Sequence, residues 1–457
     1  MTAHGAEPAP HSLWRDTVGH PVELERRSLP KHADVVIIGA GYTGLWTALH
    51  LLRQSPNTNV VVLERTRVGF GASGRNGGWA SALFPTALSK IAREAGRDRA
   101  IAMQQAMYRA VDDLGRWAAE ESIDCDFAKG GTILFSRNAG QVANLRDEVA
   151  EHRAWGATDA DWALLDAPTT RARINARGIE AGAFTPHCAA IHPLKLVHGL
   201  ARAVTRRGGT IIDGVTALSY SRGVVSTNQG VITADAIVRA TEGFTARFEQ
   251  HRRAMMPLYS QMLATEPLSE AQWSEIGLHN RETFSENRHV VIYGQRTADG
   301  RFAFGGRGSR YQWGSRVHHS MDVNPTTHAY LIKTLTDFFP QLHDVQITHR
   351  WGGALGVPRD YFPSVRFADG IGSAGGYVGD GVASSALAGA TMADLILGVD
   401  SERTTLPWVN RTSRQWEPEP LRWIAANAMV TGLQLADREE ARTGKPSRIA
   451  DALYRLL

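Results

Sequence analysis

The sequence sets three glycines in a short run, Gly39-Ala40-Gly41-Tyr42-Thr43-Gly44, with the spacing of a diphosphate cradle. The first permits a tight turn, the second lets the backbone approach a pyrophosphate, and the third lets a helix pack closely on a strand. A helix starting here would turn its unpaired N–H groups and positive dipole end toward the phosphates. Glu64 follows about 20 residues after the last glycine, where an acid can bond a ribose 2′-hydroxyl. These residues predict a dinucleotide with an unphosphorylated adenosine ribose and leave NAD and FAD open. A second match, Gly370-Ile371-Gly372-Ser373-Ala374-Gly375, lacks that setting. Arg366-Phe367-Ala368-Asp369 does not read as a buried strand, and Gly376, Gly379 and Gly381 interrupt any immediate helix. One dinucleotide is expected, not two. The spacings of His187, Cys188, His192 and His198, and of His318-His319, match no zinc pattern, and no Gly-x-Ser-x-Gly elbow is present. Neither a metal nor hydrolysis is predicted.

The elements around the cradle support it. Val35-Val36-Ile37-Ile38 is β-branched with no polar face, as a parallel strand covered on both sides must be. Leu45, Ala48, Leu49 and Leu52 then recur at helical spacing up to Pro56, and Val60-Val61-Val62-Leu63 forms a second strand ending in Glu64. This is one βαβ unit. Met1 to Pro10 reads as a frayed polar tail, with order from Leu13. Farther on, Met103, Met107, Ala110, Val111, Leu114 and Trp117 form a core-facing helical stripe, followed by a strand at Thr132-Ile133-Leu134-Phe135. Strands are expected over 258–265, 290–295 and 301–305, the last two joined by a hairpin at Ala298-Asp299-Gly300.

Composition narrows the class. The 457 residues allow two or three domains, and 43% hydrophobic with 21% charged residues is the balance of a globular enzyme. No run approaches the ~18 apolar residues of a bilayer span. The 50 basic residues against 46 acidic ones leave +4, spread without basic runs, which argues against nucleic acid or membrane as partner. Two cysteines without CxxC spacing suit a reducing compartment, and the apolar run after Arg26-Arg27 enters the glycine motif instead of a cleavage site. A water-soluble, cytoplasmic protein is expected.

The segment after Glu64 discriminates between the dinucleotides. Gly69-Phe70-Gly71-Ala72-Ser73-Gly74-Arg75-Asn76-Gly77-Gly78, following such a βαβ unit, resembles the flavin loop of the D-amino-acid-oxidase-like (DAO) flavoproteins, and within them the γ-glutamylputrescine oxidoreductase branch. Four further segments extend the resemblance: His192 to Val197, Ile237 to Gly243, Gly375 to Val382, and Trp416 to Trp423 with the Arg442-Thr443-Gly444-Lys445-Pro446 tail. The resemblance implies an α/β fold, a Rossmann-like FAD domain of glutathione-reductase type (1–90, 180–250, 345–457) with an inserted antiparallel substrate domain (91–179, 251–344). It implies FAD contacts from Gly39, Gly41, Tyr42, Thr43, Gly44, Glu64, Arg65, Gly71, Ala72, Ser73, Gly74, Arg75, Asn76, Gly77, Gly78, Trp79, Val215, Thr241, Gly243, Gly376, Tyr377, Gly379, Gly381 and Val382. No His or Cys lies between Arg65 and Lys90 or between Gly370 and Gly389, and Arg350-Trp351-Gly352-Gly353 stands where sarcosine oxidases carry their flavin-linked Cys. Noncovalent FAD is expected.

The implied reaction is oxidation of a small amine, with hydride passing to the flavin and an imine hydrolysing to a carbonyl and a released amine. Hairpin placement and the resemblance nominate Tyr259, Gln261, Tyr293, Arg307, Trp351 and Tyr377 as substrate-positioning groups, Arg307 for a carboxylate or phosphonate and Trp351 with Tyr377 as an aromatic wall. The substrate is expected to be a primary amine such as a γ-glutamylated polyamine, with a secondary or D-amino acid or an aminophosphonate as alternatives, and O₂ or another molecule as electron acceptor. An NAD(P)H-using flavin reductase and a non-catalytic flavin-binding module are the competing classes.

Overall fold

The computed structural model describes residues 12–455, so the expected polar tail lies outside the described residues. Two eight-stranded sheets carry the architecture. In the first, the strand His32–Ile38 lies between Val60–Leu63 and Gly230–Arg239, parallel to both, with Val36 opposite Val61 on one side and Ile237 on the other. Thr210–Ile212 extends one edge, and Ile371–Gly375 and Ser364–Ala368 the other. The apolar run is buried on both faces: helices cover one side, chiefly Tyr42–Gln54, Pro193–Arg206 and Gly381–Leu397, and Tyr220, Val225, Ile232 and Phe248 pack on the other. Close packing between the first and last of these depends on Gly389, where a Cβ would collide with the backbone at Trp46.

The second sheet runs in the order Ile347–Val357, Met256–Pro267, Arg301–Gly306, Ile292–Arg296, Thr283–Glu286, Thr132–Ser136, Ala181–Thr185, Ala163–Asp166. Its own core is aromatic, with Phe135, Phe284, Phe302, Phe304 and Phe338 fully buried. The two strands around Ala298-Asp299-Gly300 pair antiparallel, although the first starts at Ile292 instead of Val290. The helix carrying Met103 to Trp117 spans Arg97–Glu120 and buries that stripe.

Several strand pairings cross the expected segments. Ala181–Thr185 pairs with Thr132–Ser136, and Ile347–Val357 pairs with Met256–Pro267, so both are strands of the second sheet although they fall within the expected segments 180–250 and 345–457. The helix Leu421–Thr443 also reaches across, since Asp437 and Glu440 bond His289 and Glu440 bonds Asn144. As expected, Arg366 to Ala368 is not a buried strand: it ends the edge strand Ser364–Ala368, with Arg366 exposed. Asp369 and Gly370, at φ 52° and 75°, make the hairpin turn into Ile371–Gly375, so the second glycine match is a turn and a strand, with no helix start following it directly.

Buried neutral imidazoles give the fold an acid limit. Burial lowers His50 to about 3, helped by the charges of Arg53, Arg403 and Arg116, and lowers His192 and His198 to about 4. The unfolded chain takes up these protons near pH 6.5, so the stability they protect is complete above that pH and is lost as pH falls through it. At pH 5 each contributes a loss of about 2 kcal/mol. A thermal melt at pH 5.0 should fall well below one at pH 7.5, and His50→Gln should shrink that difference; an equal difference in the variant would remove His50 from the account.

Candidate active site

The cradle sits where the first strand ends. Gly39 has φ 112°, and a Cβ there would come within 2.6 Å of the Ala240 carbonyl oxygen. At Gly44 a Cβ would collide with the Gly39 carbonyl oxygen, which is the close helix–strand contact the third glycine was expected to provide. Gly41 is the N-cap of Tyr42–Gln54 and offers no side-chain cap; the Tyr42 N–H donates to Ser73 Oγ instead (2.9 Å). Glu64 braces this turn, accepting from the N–H groups of Ala40 (3.0 Å) and Thr66 (2.9 Å). Burial raises its pKa, opposed by those N–H groups and the Arg65 charge.

A cleft of about 310 Å³ opens over this turn. Of the expected cofactor contacts, Gly39, Gly41, Tyr42, Thr43, Glu64, Arg65, Gly71, Ala72, Ser73, Asn76, Val215, Thr241, Gly243, Tyr377, Gly379, Gly381 and Val382 line it. Gly44, Gly74, Arg75, Gly77, Gly78, Trp79 and Gly376 do not. Arg75 is buried in an ion pair with Asp322 (2.8 Å), lies over the Phe70 ring and accepts at its carbonyl from Trp351 Nε1 (2.8 Å). Gly77 and Gly78 form the seam between the sheets: Gln295 Nε2 donates to both carbonyls, and a Cβ at Gly77 would lie 2.5 Å from the Tyr293 ring. Trp79 stands edge-on to Tyr293, with its buried Nε1 lacking a hydrogen-bond partner. Phe244, Phe248 and Leu355 also line the cleft and carried no sequence signal.

The six nominated substrate groups separate. Tyr293 Oη meets Ser260 Oγ (2.8 Å), and Arg307 donates to the Val378 carbonyl (2.7 Å) while lining a second cavity of about 980 Å³. Tyr259 lines a small recess beside the cleft and bonds the backbone of His318. The other three are tied into the fold. Gln261 is fully buried, holding Met321 O and Asn324 N; Trp351 is fully buried against Trp14; and Tyr377 Oη is taken by Thr43 Oγ1 (3.0 Å). Trp351 and Tyr377 therefore form no open aromatic wall. Strand alternation explains Gln261: Ser260 and Met262 share one face, and Met262 pairs through Gly305 with Tyr293, so Tyr259 and Gln261 point the other way.

Two acids were missed. Glu242, at φ 41°, accepts from the N–H groups of Gly376 (2.8 Å) and Tyr377 (3.3 Å), and burial pushes it up to about 7 against those bonds. Asp380 is the N-cap of Gly381–Leu397 without capping it; burial pushes it up to about 6, opposed by the Arg307 charge. Both lie inside motifs already singled out, but nothing in their types reveals burial. The imidazoles of His187 and His192 are separately engaged, with Asp161 and Thr17, and form no ligand set with Cys188 or His198. Among the described residues, the group with metal-ligand geometry is His32, Asp34 and Asp235, at the surface.

Two helix N-termini without side-chain caps, Gly41 and Asp380, thus converge on one glycine-walled cleft, and these residues fit a dinucleotide: the N–H groups at the first would hold a diphosphate. Residues 34–395 match the DAO family, described as FAD dependent oxidoreductase. The chain belongs to that family. It is an FAD-dependent oxidoreductase. It is similar to the gamma-glutamylputrescine oxidoreductase of Escherichia coli (strain K12), 33% identical over 377 residues that cover 81% of this chain and 84% of the relative. It is also similar to a probable oxidoreductase, OrdL, of Rhizobium meliloti (strain 1021), 31% identical over 387 residues that cover 81% and 85%. Among solved structures it shares its fold with L-proline dehydrogenase from P. horikoshii, at TM-score 0.68 and 19% identity over 83% of this chain and 96% of that one. Glycine oxidase from Geobacillus kaustophilus gives 0.64 and 18% over 81% and 96%. No described helix is long and apolar enough to cross a membrane.

Proposed function

We propose that the chain holds FAD noncovalently and oxidises the C–N bond of a small primary amine that also carries an anionic group, as γ-glutamylputrescine does. The observation that carries this reading is the junction of two cavities. Gly379 lines the nucleotide cleft, a Cβ on it would lie 2.5 Å from Arg307 Nη2, and Arg307 lines the 980 Å³ cavity whose walls carry both signs of charge, among them Arg288, Arg310, Glu286 and Asp437. Such walls suit a substrate with an ammonium at one end and a carboxylate at the other. The identity with the Escherichia coli gamma-glutamylputrescine oxidoreductase favours the same class. No His or Cys stands among the described residues lining the cleft, which supports noncovalent binding. The two buried, unpaired thiols suit the cytoplasm.

Bound flavin supplies the hydride acceptor for a C–H next to nitrogen; the resulting imine hydrolyses to a carbonyl. The chain's part is placement. Val378 O fixes one nitrogen of Arg307 and leaves its remaining N–H groups for a substrate carboxylate. Tyr293 and Ser260 present a linked pair of hydroxyls on the sheet face next to Gly77. An anaerobic screen of amines for bleaching of the flavin band, followed by air and a peroxide assay, tests the reading; failure of every amine to bleach the band refutes it. Arg307→Ala should raise KM about 30-fold for an amine bearing a carboxylate, the worth of a charge-assisted hydrogen bond, and leave uncharged amines nearly unchanged. Equal KM changes for both would take Arg307 out of substrate binding.

A further inference from the structure

Away from the cleft, the helices Arg97–Glu120 and Ala139–Ala154 and the segment 81–88 enclose a cavity of about 210 Å³ that the reaction does not use. Two stacked ring pairs form part of its lining. Tyr108 lies flat on His187, with centroids 3.6 Å apart and planes at 5°, and His152 lies on Trp162 at 4.3 Å and 9°. Glu148 and Glu151 complete it. Neither carboxylate has a cation in ion-pair contact among the described residues, and no Lys or Arg stands among the described residues lining the cavity. Glu148 is half-buried and Glu151 is exposed at the rim.

Of the unpartnered polar atoms here, the Trp162 indole N–H can only donate, whereas the Tyr108 hydroxyl can accept. Trp162 is 2% and Tyr108 6% exposed, and Trp162 Nε1 and Tyr108 Oη lie close enough to influence one another yet outside hydrogen-bond geometry. His187 Nε2 meets Asp161 Oδ1 (2.9 Å), and in the tautomer that donates there Nδ1 is an acceptor; Nδ1 has no hydrogen-bond partner. Burial and the neighbouring Glu151 charge push Glu148 up to about 7, the cost of two carboxylates with nothing to balance them.

We propose that this cavity binds a compact organic ammonium ion, taken up between the ring pairs with its N–H groups on Glu148 and His187 Nδ1. Aromatic rings with a nearby carboxylate are the combination that attracts such cations. The proposal is independent of the substrate reading, because the site is separate from the flavin cleft.

tert-Butylammonium is the probe, since its nitrogen-bearing carbon has no hydrogen and cannot be dehydrogenated. It would be titrated into FAD-loaded protein by calorimetry at constant ionic strength, with tert-butanol as the neutral isostere and the flavin spectrum recorded throughout. One saturable equivalent should bind without moving the flavin band, at least about tenfold more weakly for tert-butanol and for the Glu148→Gln variant. Trp162→Phe, which keeps the aromatic wall, should retain most of the binding, and amine turnover should be unchanged in Glu148→Gln. Absence of saturable binding, equal affinity for tert-butanol, or binding that survives Glu148→Gln would each overturn the proposal.

Discussion

Gly41→Val is expected to give a folded protein that no longer holds FAD. Gly41 has φ −90° and ψ −173°, extended backbone open to any residue, so the substitution adds no backbone strain. Its Cβ would stand 2.9 Å from Ser73 Oγ, the atom that receives the Tyr42 N–H, and the two methyls would project into the cleft over the helix start. Overpacking of about 3 kcal/mol at that point corresponds to a loss of FAD affinity of about 100-fold. The preparation should be pale or colourless, melt near the apo wild type, and recover colour only at high added FAD. A yellow variant with unchanged affinity would place the diphosphate elsewhere.

Asp322→Ala should be the most damaging of the single substitutions outside the cradle. Its carboxylate and the Arg75 guanidinium are 6% and 9% exposed and 2.8 Å apart, and Arg75 Nη2 already lacks a hydrogen-bond partner. Removing the carboxylate strands a cation in the interior, for which about 3–5 kcal/mol is the expected loss. Arg75 belongs to the loop that also supplies Ala72, Ser73 and Asn76 to the cleft, so FAD affinity should fall along with the melting temperature. The double variant Arg75→Met with Asp322→Leu should recover most of the stability, because neither charge is then buried. A double variant as unstable as the single one would mean that packing around Asp322, and not charge, holds the loop.

The parts legible in the sequence were those that local chemistry dictates. A four-residue apolar run followed by glycines has one economical fold, and the structure confirms the strand, the helix start and the tight contact at Gly44. What escaped was set by distant partners. Gln261 and Ser260 are neighbours, and only the pairing through Gly305 to Tyr293 decides which of them meets the Tyr293 hydroxyl. Trp351 and Tyr377 have the residue types of a substrate wall, but their polar atoms are already taken by Arg75 and Thr43. The Asp369-Gly370 pair carried a hairpin signal that the glycine spacing obscured. Glu242 and Asp380 are ordinary acids until the fold buries them.

The assignment of Ala181–Thr185 and Ile347–Val357 to the second sheet means that the polypeptide shuttles repeatedly between the two layers, out to 132–185, back to 210–239, out again to 256–357 and home to 364–375. No one cut frees either layer, and a protease nicking a single connection between them leaves two fragments still clasped through at least one sheet. For an engineer, a new specificity cannot be imported by splicing in a foreign cap at one joint. It has to be written residue by residue into strands whose ends are anchored in the nucleotide-binding half.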